Sequence, residues 1–225
     1  LIKVIFITKN LKKFITKKYN FNEKNYLILP DATDIKNTVK INILKRKVKK
    51  IGYFGSIYSS RGVHLIIKLS KLDRKNKYYI YGGSKDEISE IKKFKSKNLI
   101  IHPQVSYKDV KKKLSEMDIL LMPYTDKTTF SGNYGDIVNF MSPMKMFDYL
   151  GAGKIIISSE IKVLKEILKK NYNSILIRNY LNVIEWKKKI EMLDLNSSFS
   201  KKLRTNALIT AKKYNWIDRA RKMIN

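Results

Sequence analysis

Cysteine is missing altogether from the 225 residues, so no disulfide framework and no thiolate-ligated zinc is available, a composition that suits a reducing compartment. Histidine is nearly as scarce: there are two, His64 and His102. That is too few for imidazole-based metal ligation or a Ser-His-Asp constellation, and both rings read as local packing or hydrogen-bonding groups. Apolar runs are short. None reaches the ~20 residues that cross a bilayer, and residues 1–8 are too short and too soon charged for a secretory signal. Two phosphate signatures are also lacking. Without Gly-x-Gly-x-x-Gly or a Walker Gly-Lys-Ser/Thr, the chain reads neither as a nicotinamide dehydrogenase nor as a P-loop ATPase. Acidic residues are the last shortage, 19 against 48 Lys and Arg, for a formal net charge of +29.

What is present is enough to fold. With 44% hydrophobic residues the chain is globular, and its length holds one large domain or one domain plus part of another. It begins at Leu1 rather than Met, which points to a fragment. The positive charge has two readings. Only seven of the 48 basic residues are Arg, and the excess Lys travels with excess Ile, Asn and Tyr, as AT-rich codon usage would write. Alternatively, such a field draws polyanions and supports peripheral contact with an anionic bilayer. Nucleic acid is not expected as a partner. The lysines (Lys92, Lys93, Lys111, Lys112, Lys113, Lys187, Lys188, Lys189, Lys201, Lys202) are scattered over helix faces, without the aromatic interleaving of a single-strand binder and without a helix-turn-helix, zinc-finger or RNA-recognition signature.

From residue 51 onward, short β-branched runs alternate with amphipathic ones. Strands are predicted at 51–55, 77–81, 98–102, 118–123, 154–159 and 174–178, and helices at 62–71, 85–94, 107–117, 143–151 and 161–168. Helices at 181–193, 197–214 and 216–224 follow. This rhythm is that of an α/β fold, a Rossmann-like doubly wound parallel sheet with right-handed crossovers. Before it come a strand at 1–8, a helix at 11–19, a strand at 26–29 and a polar, turn-rich linker at 30–38.

Two segments carry the chemistry. In Ser142-Pro-Met-Lys-Met-Phe-Asp-Tyr-Leu-Gly-Ala-Gly153, Ser142 is placed to cap a helix with Pro at its first position. The open helix start then favours an anion. Lys145 and Asp148, three residues apart, share a helical face. In Ile51-Gly-Tyr-Phe-Gly-Ser-Ile-Tyr-Ser-Ser-Arg-Gly-Val-His64, a strand ends in Gly55 and Ser56, small enough for a ligand to approach the backbone, and Arg61 can fork onto phosphate oxygens. Taken alone, this second segment serves equally as a tight βα turn. The paired glycines of Tyr79-Ile-Tyr-Gly-Gly83 read as turn residues, and the 125–141 loop after Leu120-Leu-Met-Pro-Tyr124 reads as a cover over the ligand.

The Ser142 segment resembles the Ser-Pro-x-Lys-x-x-Glu-Tyr helix in the donor-binding domain of GT-B glycosyltransferases of family 4. The Arg61 loop is similar to that family's first loop, and Asn206-Ala with Tyr214-Asn-Trp216 is similar to its closing helices. The resemblance implies a C-terminal half of a GT-B fold, with residues 1–47 the tail of an N-terminal domain plus linker and 48–225 the donor domain. It implies a retaining hexosyltransferase using a nucleotide-diphosphate sugar as donor substrate, with no metal and no further cofactor, and a saccharide or lipid-linked acceptor in surface polysaccharide synthesis. The expected location is cytoplasmic, with peripheral contact at the inner membrane face. Gly55, Ser56, Arg61, Ser142 and Lys145 would bind the diphosphate, Asp148 the ribose and Val105 the base. No catalytic group is assigned. The family's two glutamates eight positions apart are replaced here by Phe140 and Asp148. The competing expectation is a non-catalytic basic module for anionic membrane or nucleic acid. An epimerase or phosphorylase on the same fold is a further enzyme alternative, although a phosphorylase's cofactor lysine has no counterpart here.

Overall fold

The structure is a computed structural model and describes residues 4–20, 25–35, 47–58, 61–94, 96–128 and 135–224. Parts of the predicted 1–8 strand, 30–38 linker and 125–141 loop, and Ser59 and Ser60 of the Arg61 loop, lie outside them. A small unit comes first: β1 (Val4–Phe6), α1 (Lys9–Tyr19) and β2 (Tyr26–Ile28), the two strands paired in parallel. The main sheet then alternates β3 (Lys50–Phe54), α2 (Val63–Leu72), β4 (Lys77–Tyr81), α3 (Lys85–Lys92), β5 (Leu99–His102), α4 (Tyr107–Ser115), β6 (Ile119–Met122), α5 (Met144–Gly151), β7 (Ile155–Ser159) and β8 (Ile175–Ile177). Helices α6 (Val183–Glu191), α7 (Ser198–Ala211) and α8 (Trp216–Ile224) close the chain.

All six strands of the main sheet run parallel, in the order β5-β4-β3-β6-β7-β8. The chain therefore winds outward from β3 in one direction and, from β6, in the other. Each strand is apolar on both faces, as a sheet covered on both sides must be. The pleat sorts successive residues into two cores. Ile51, Tyr53, Ile119, Leu121, Ile155, Ile157, Ile175 and Ile177 pack under α2, α3 and α6. Phe54, Leu120, Met122, Ile156 and Leu176 pack under α4, α5 and α7.

Six strand predictions hold to within a residue or so, and the expected parallel crossovers are found. One helix does not form. Residues 161–168 make a single 3-10 turn at Leu164–Glu166, with Ile161, Val163, Leu164, Ile167 and Leu168 buried and Lys162 and Lys165 exposed. Glu166 in that turn caps α1 instead, accepting from the backbone N–H groups of Lys9 (2.9 Å) and Asn10 (3.0 Å), which ties the N-terminal unit to the main sheet.

The 31–35 segment lies extended along α5. Asp31 N–H donates to Ser142 Oγ (3.0 Å) before the helix, Thr33 Oγ1 donates to Asp148 at 2.6 Å midway, and the Ile35 carbonyl lies where a Cβ on Gly151 would stand. Two backbone groups, at 31 and 35, and one side chain, at 33, thus meet α5.

Candidate functional site

A sheet wound from β3 in one direction and β6 in the other opens a crevice beyond the carboxyl ends of those two strands. The structure has a cleft of about 790 Å³ there. Gly55 and Ser56 reach it from β3, Gly82 and Gly83 from β4, Gln104 and Val105 from β5, Tyr124 from β6, and Lys145 and Asp148 from α5. Of the residues expected to bind a ligand, Gly55, Ser56, Arg61, Val105, Lys145 and Asp148 all line this one cleft.

The seventh, Ser142, does not. Helix α5 starts one residue later than the sequence suggests, with Pro143 as its N-cap and no side-chain cap bond. The Ser142 hydroxyl is buried and accepts from Asp31 N–H. Its capping role is therefore corrected to that of anchoring the linker. Proline at the cap has no side-chain acceptor, so the first-turn N–H groups of α5 receive none from that position.

One end of the cleft is cationic. The Lys145 ammonium sits 4.0 Å from the centroid of the Tyr53 ring and 5.4 Å from that of Tyr124, and the Arg61 guanidinium carbon 5.6 Å from the Tyr124 ring. Aromatic faces attract cations but neutralise none of their charge. No carboxylate among the described residues pairs with Lys145. Burial, and then the neighbouring Arg61 charge, hold its pKa well below the usual lysine value. Burial likewise pushes the Tyr124 hydroxyl up to about 12, with Arg61 opposing. An anion at this end would meet the Lys145 and Arg61 cations together.

Backbone geometry keeps it open. Gly55 has φ 129°, and a Cβ there would stand 2.6 Å from Lys145 Nζ. Gly62 has φ 76° and abuts the Pro123 carbonyl, which seats the Arg61 turn against the end of β6. The strand ends are pinned by hydroxyls. Phe54 N–H donates to Tyr149 Oη at 2.8 Å, Tyr53 Oη donates to the Ser56 carbonyl at 2.6 Å, and Ser159 Oγ donates to the Tyr124 carbonyl at 2.6 Å.

The other end is acidic. Lys145 and Asp148 share α5 but part company: Asp148 turns to Thr33, and burial raises its pKa to about 6, with the Thr33 hydrogen bond opposing and Asp34 adding to the rise. Tyr107 at the start of α4 stands beside Thr33 and Asp34. Phe54 and Tyr81 line the cleft, Phe54 stacked on Tyr81 and Tyr81 on His102, each at 4.7 Å. His102 thus packs, as its sequence context suggests, while His64 is exposed on α2.

Phe140 is outside the cleft. Its ring packs on Phe14 of α1 at 4.7 Å and its carbonyl accepts from Thr8 Oγ1. Sequence reasoning missed Thr33, Tyr53, Tyr107 and Tyr149. Tyr53 carried a signal as a polar-tipped ring near the end of a strand running into the small-residue loop, and Tyr149 as the tyrosine that closes the Ser-Pro-x-Lys pattern.

A model of the family described as Glycosyl transferases group 1 matches residues 34–209. No curated protein sequence matches the chain. Among solved structures, a glycosyltransferase from Rickettsia africae ESF-5 is similar, with TM-score 0.76 and 15% identity over 99% of this chain and 62% of that one. Anabaena HepE in complex with UDP-glucose gives 0.75 and 12%, over 99% and 62%. A TarM variant of S. aureus in complex with fondaparinux, alpha-GlcNAc-glycerol and UDP gives 0.73 and 20%, over 99% and 43%. The chain spans less than two thirds of each of these proteins. At such identities the likeness establishes the fold, that of GT-B glycosyltransferases.

Proposed function

This chain belongs to the family glycosyl transferases group 1, and from that premise we propose that it forms the donor half of a retaining GT-B hexosyltransferase whose cleft holds a nucleotide-diphosphate sugar. The observation that carries this reading is the meeting of Arg61 and Lys145 at the crevice between β3 and β6, with Asp148 in the same cleft. The diphosphate lies against Gly55 and Ser56 at the cationic end. There Arg61 forks onto its oxygens, Lys145 supplies a point charge and the first-turn N–H groups of α5 donate. Asp148 accepts from the ribose hydroxyls, and Val105 lies beside the base. As the sugar departs, charge grows on the diphosphate, and groups already in place to stabilise it lower the barrier without reorganising.

In this reading residues 48–225 form the donor domain and residues 1–47 the tail of an N-terminal domain. The acceptor is a saccharide or lipid-linked saccharide of surface polysaccharide synthesis, the enzyme is cytoplasmic, and its basic surface contacts an anionic membrane. Because HepE and TarM were crystallised with UDP ligands, UDP heads the list of candidates.

A thermal-shift panel of UDP, GDP and ADP with their sugars tests it. A ligand that binds the native state at a hundredfold its Kd adds ~2.7 kcal/mol of stability. One nucleotide of the panel should raise Tm, and Lys145→Ala should remove the rise. If millimolar concentrations of every member leave Tm unchanged, or Lys145→Ala retains the full shift, the reading is wrong.

A further inference from the structure

We infer that Thr33 is a positioning residue for the nucleotide, fixing the Asp148 carboxylate so that one oxygen is held by the protein and the other faces the cleft. The inference rests on the donor-binding reading above. Thr33 is buried and fully engaged. Its hydroxyl donates to Asp148 Oδ1 at 2.6 Å and accepts from Ile35 N–H at 2.9 Å, while its own N–H donates to the Tyr214 carbonyl at 3.0 Å. The direction of that hydrogen bond is set because an ionised carboxylate only accepts and the Ile35 N–H only donates; the Tyr107 hydroxyl is a third polar neighbour of Thr33. Asp148 Oδ2 has no hydrogen bond to any described residue, and Asp148 lines the cleft.

The consequence is geometric and electrostatic at once. A carboxylate on a short side chain rotates freely about its last bond unless one oxygen is anchored. A hydrogen bond donated to the ionised form also favours ionisation. The groups facing Asp148 are Thr33 and Asp34 from the linker, Tyr107 from α4, and Tyr149 on its own helix; Lys145, one turn earlier, turns to the tyrosines. Asp34 opposes ionisation, so among the described residues Thr33 is the one neighbour that donates to the charged form.

The test compares Thr33→Val, which keeps the shape and removes the hydroxyl, with Thr33→Ser, which keeps the hydroxyl. Two readouts are followed: the Asp148 carboxyl titration by carbon NMR in the free protein, assigned with Asp148→Asn, and the affinity for the nucleotide found by the panel across pH 5 to 8. Thr33→Val is expected to move the Asp148 titration, and with it the acid limb of binding, alkaline by about one pH unit. It should also weaken binding about tenfold at neutral pH. Thr33→Ser should restore both. An unmoved titration in a folded Thr33→Val protein overturns the positioning role even if wild type binds nucleotide. A moved titration with unchanged affinity confines Thr33 to the free protein and equally overturns it. Absence of nucleotide binding by wild type overturns the donor reading, and this inference with it.

Discussion

At the scale of single residues, the cleft spends stability on charge. Asp148 has its pKa raised from the ordinary carboxylate value to about 6. Its proton-linked contribution thus favours the fold below the unfolded pKa near 4 and is lost as pH rises through 6. At pH 8 the ionised group costs the free protein on the order of 1–2 kcal/mol, after allowance for its partial exposure. Asp148→Asn should therefore gain that amount in urea denaturation at pH 8, gain nothing at pH 4, and weaken nucleotide binding at every pH above 6. The opposite sign applies to Lys145, whose pKa is depressed. If the cleft takes a diphosphate as proposed, its charge would restore that proton, so calorimetry at alkaline pH in buffers of different ionisation enthalpy should show proton uptake on binding, and Lys145→Met should abolish it. The same variant should cost binding about ten- to a hundredfold, the range of a charge-assisted hydrogen bond or two.

At the scale of elements, the strand ends decide how well those charges are aimed. The Phe54 N–H at the end of β3 reaches Tyr149 of α5 through one buried hydrogen bond. Tyr149→Phe leaves that donor unsatisfied and should cost roughly 1–3 kcal/mol by thermal or chemical denaturation. Gly55→Ala combines a backbone at φ 129° with a clash against Lys145. A cost of about 1–3 kcal/mol in stability is expected, together with loss of the nucleotide-dependent Tm shift because the ammonium is displaced. Strands were legible because their signal is a local run: Ile119 to Met122 and Ile155 to Ile157 are apolar without a break, as strands covered on both faces must be. The start of α5 was less legible. Ser-Pro is a valid cap pair, but the serine was claimed by Asp31, a competitor far away in sequence.

At the scale of the whole molecule, the formal net charge of +29 and the cleft make different demands on salt. Exposed lysines act through solvent and are screened over ~8–10 Å at moderate ionic strength, whereas Lys145 and Arg61 act at contact in a partly dry site. Raising salt from 50 to 300 mM should abolish retention on anionic vesicles yet leave most of the Tm shift given by a nucleoside diphosphate. Equal loss of both would return the protein to the class of basic surface binders. Described helices do not bear on a membrane span in the other direction: none is long and apolar enough to cross a bilayer.

The sequence by itself determined the alternation of strand and helix, the parallel sheet, and six residues that line the cleft out of the seven it singled out, since apolar runs, glycine positions and charged tips are written within a few neighbouring positions. The tertiary structure alone decided that Lys145 and Asp148, one turn apart, face different ends of the cleft, that Phe140 turns to α1, and that Asp148 takes its partner from Thr33, 115 positions earlier. Such pairings are set by which strand ends the sheet order brings together, and a hydrogen bond formed across that distance leaves no local pattern for its two residues to share.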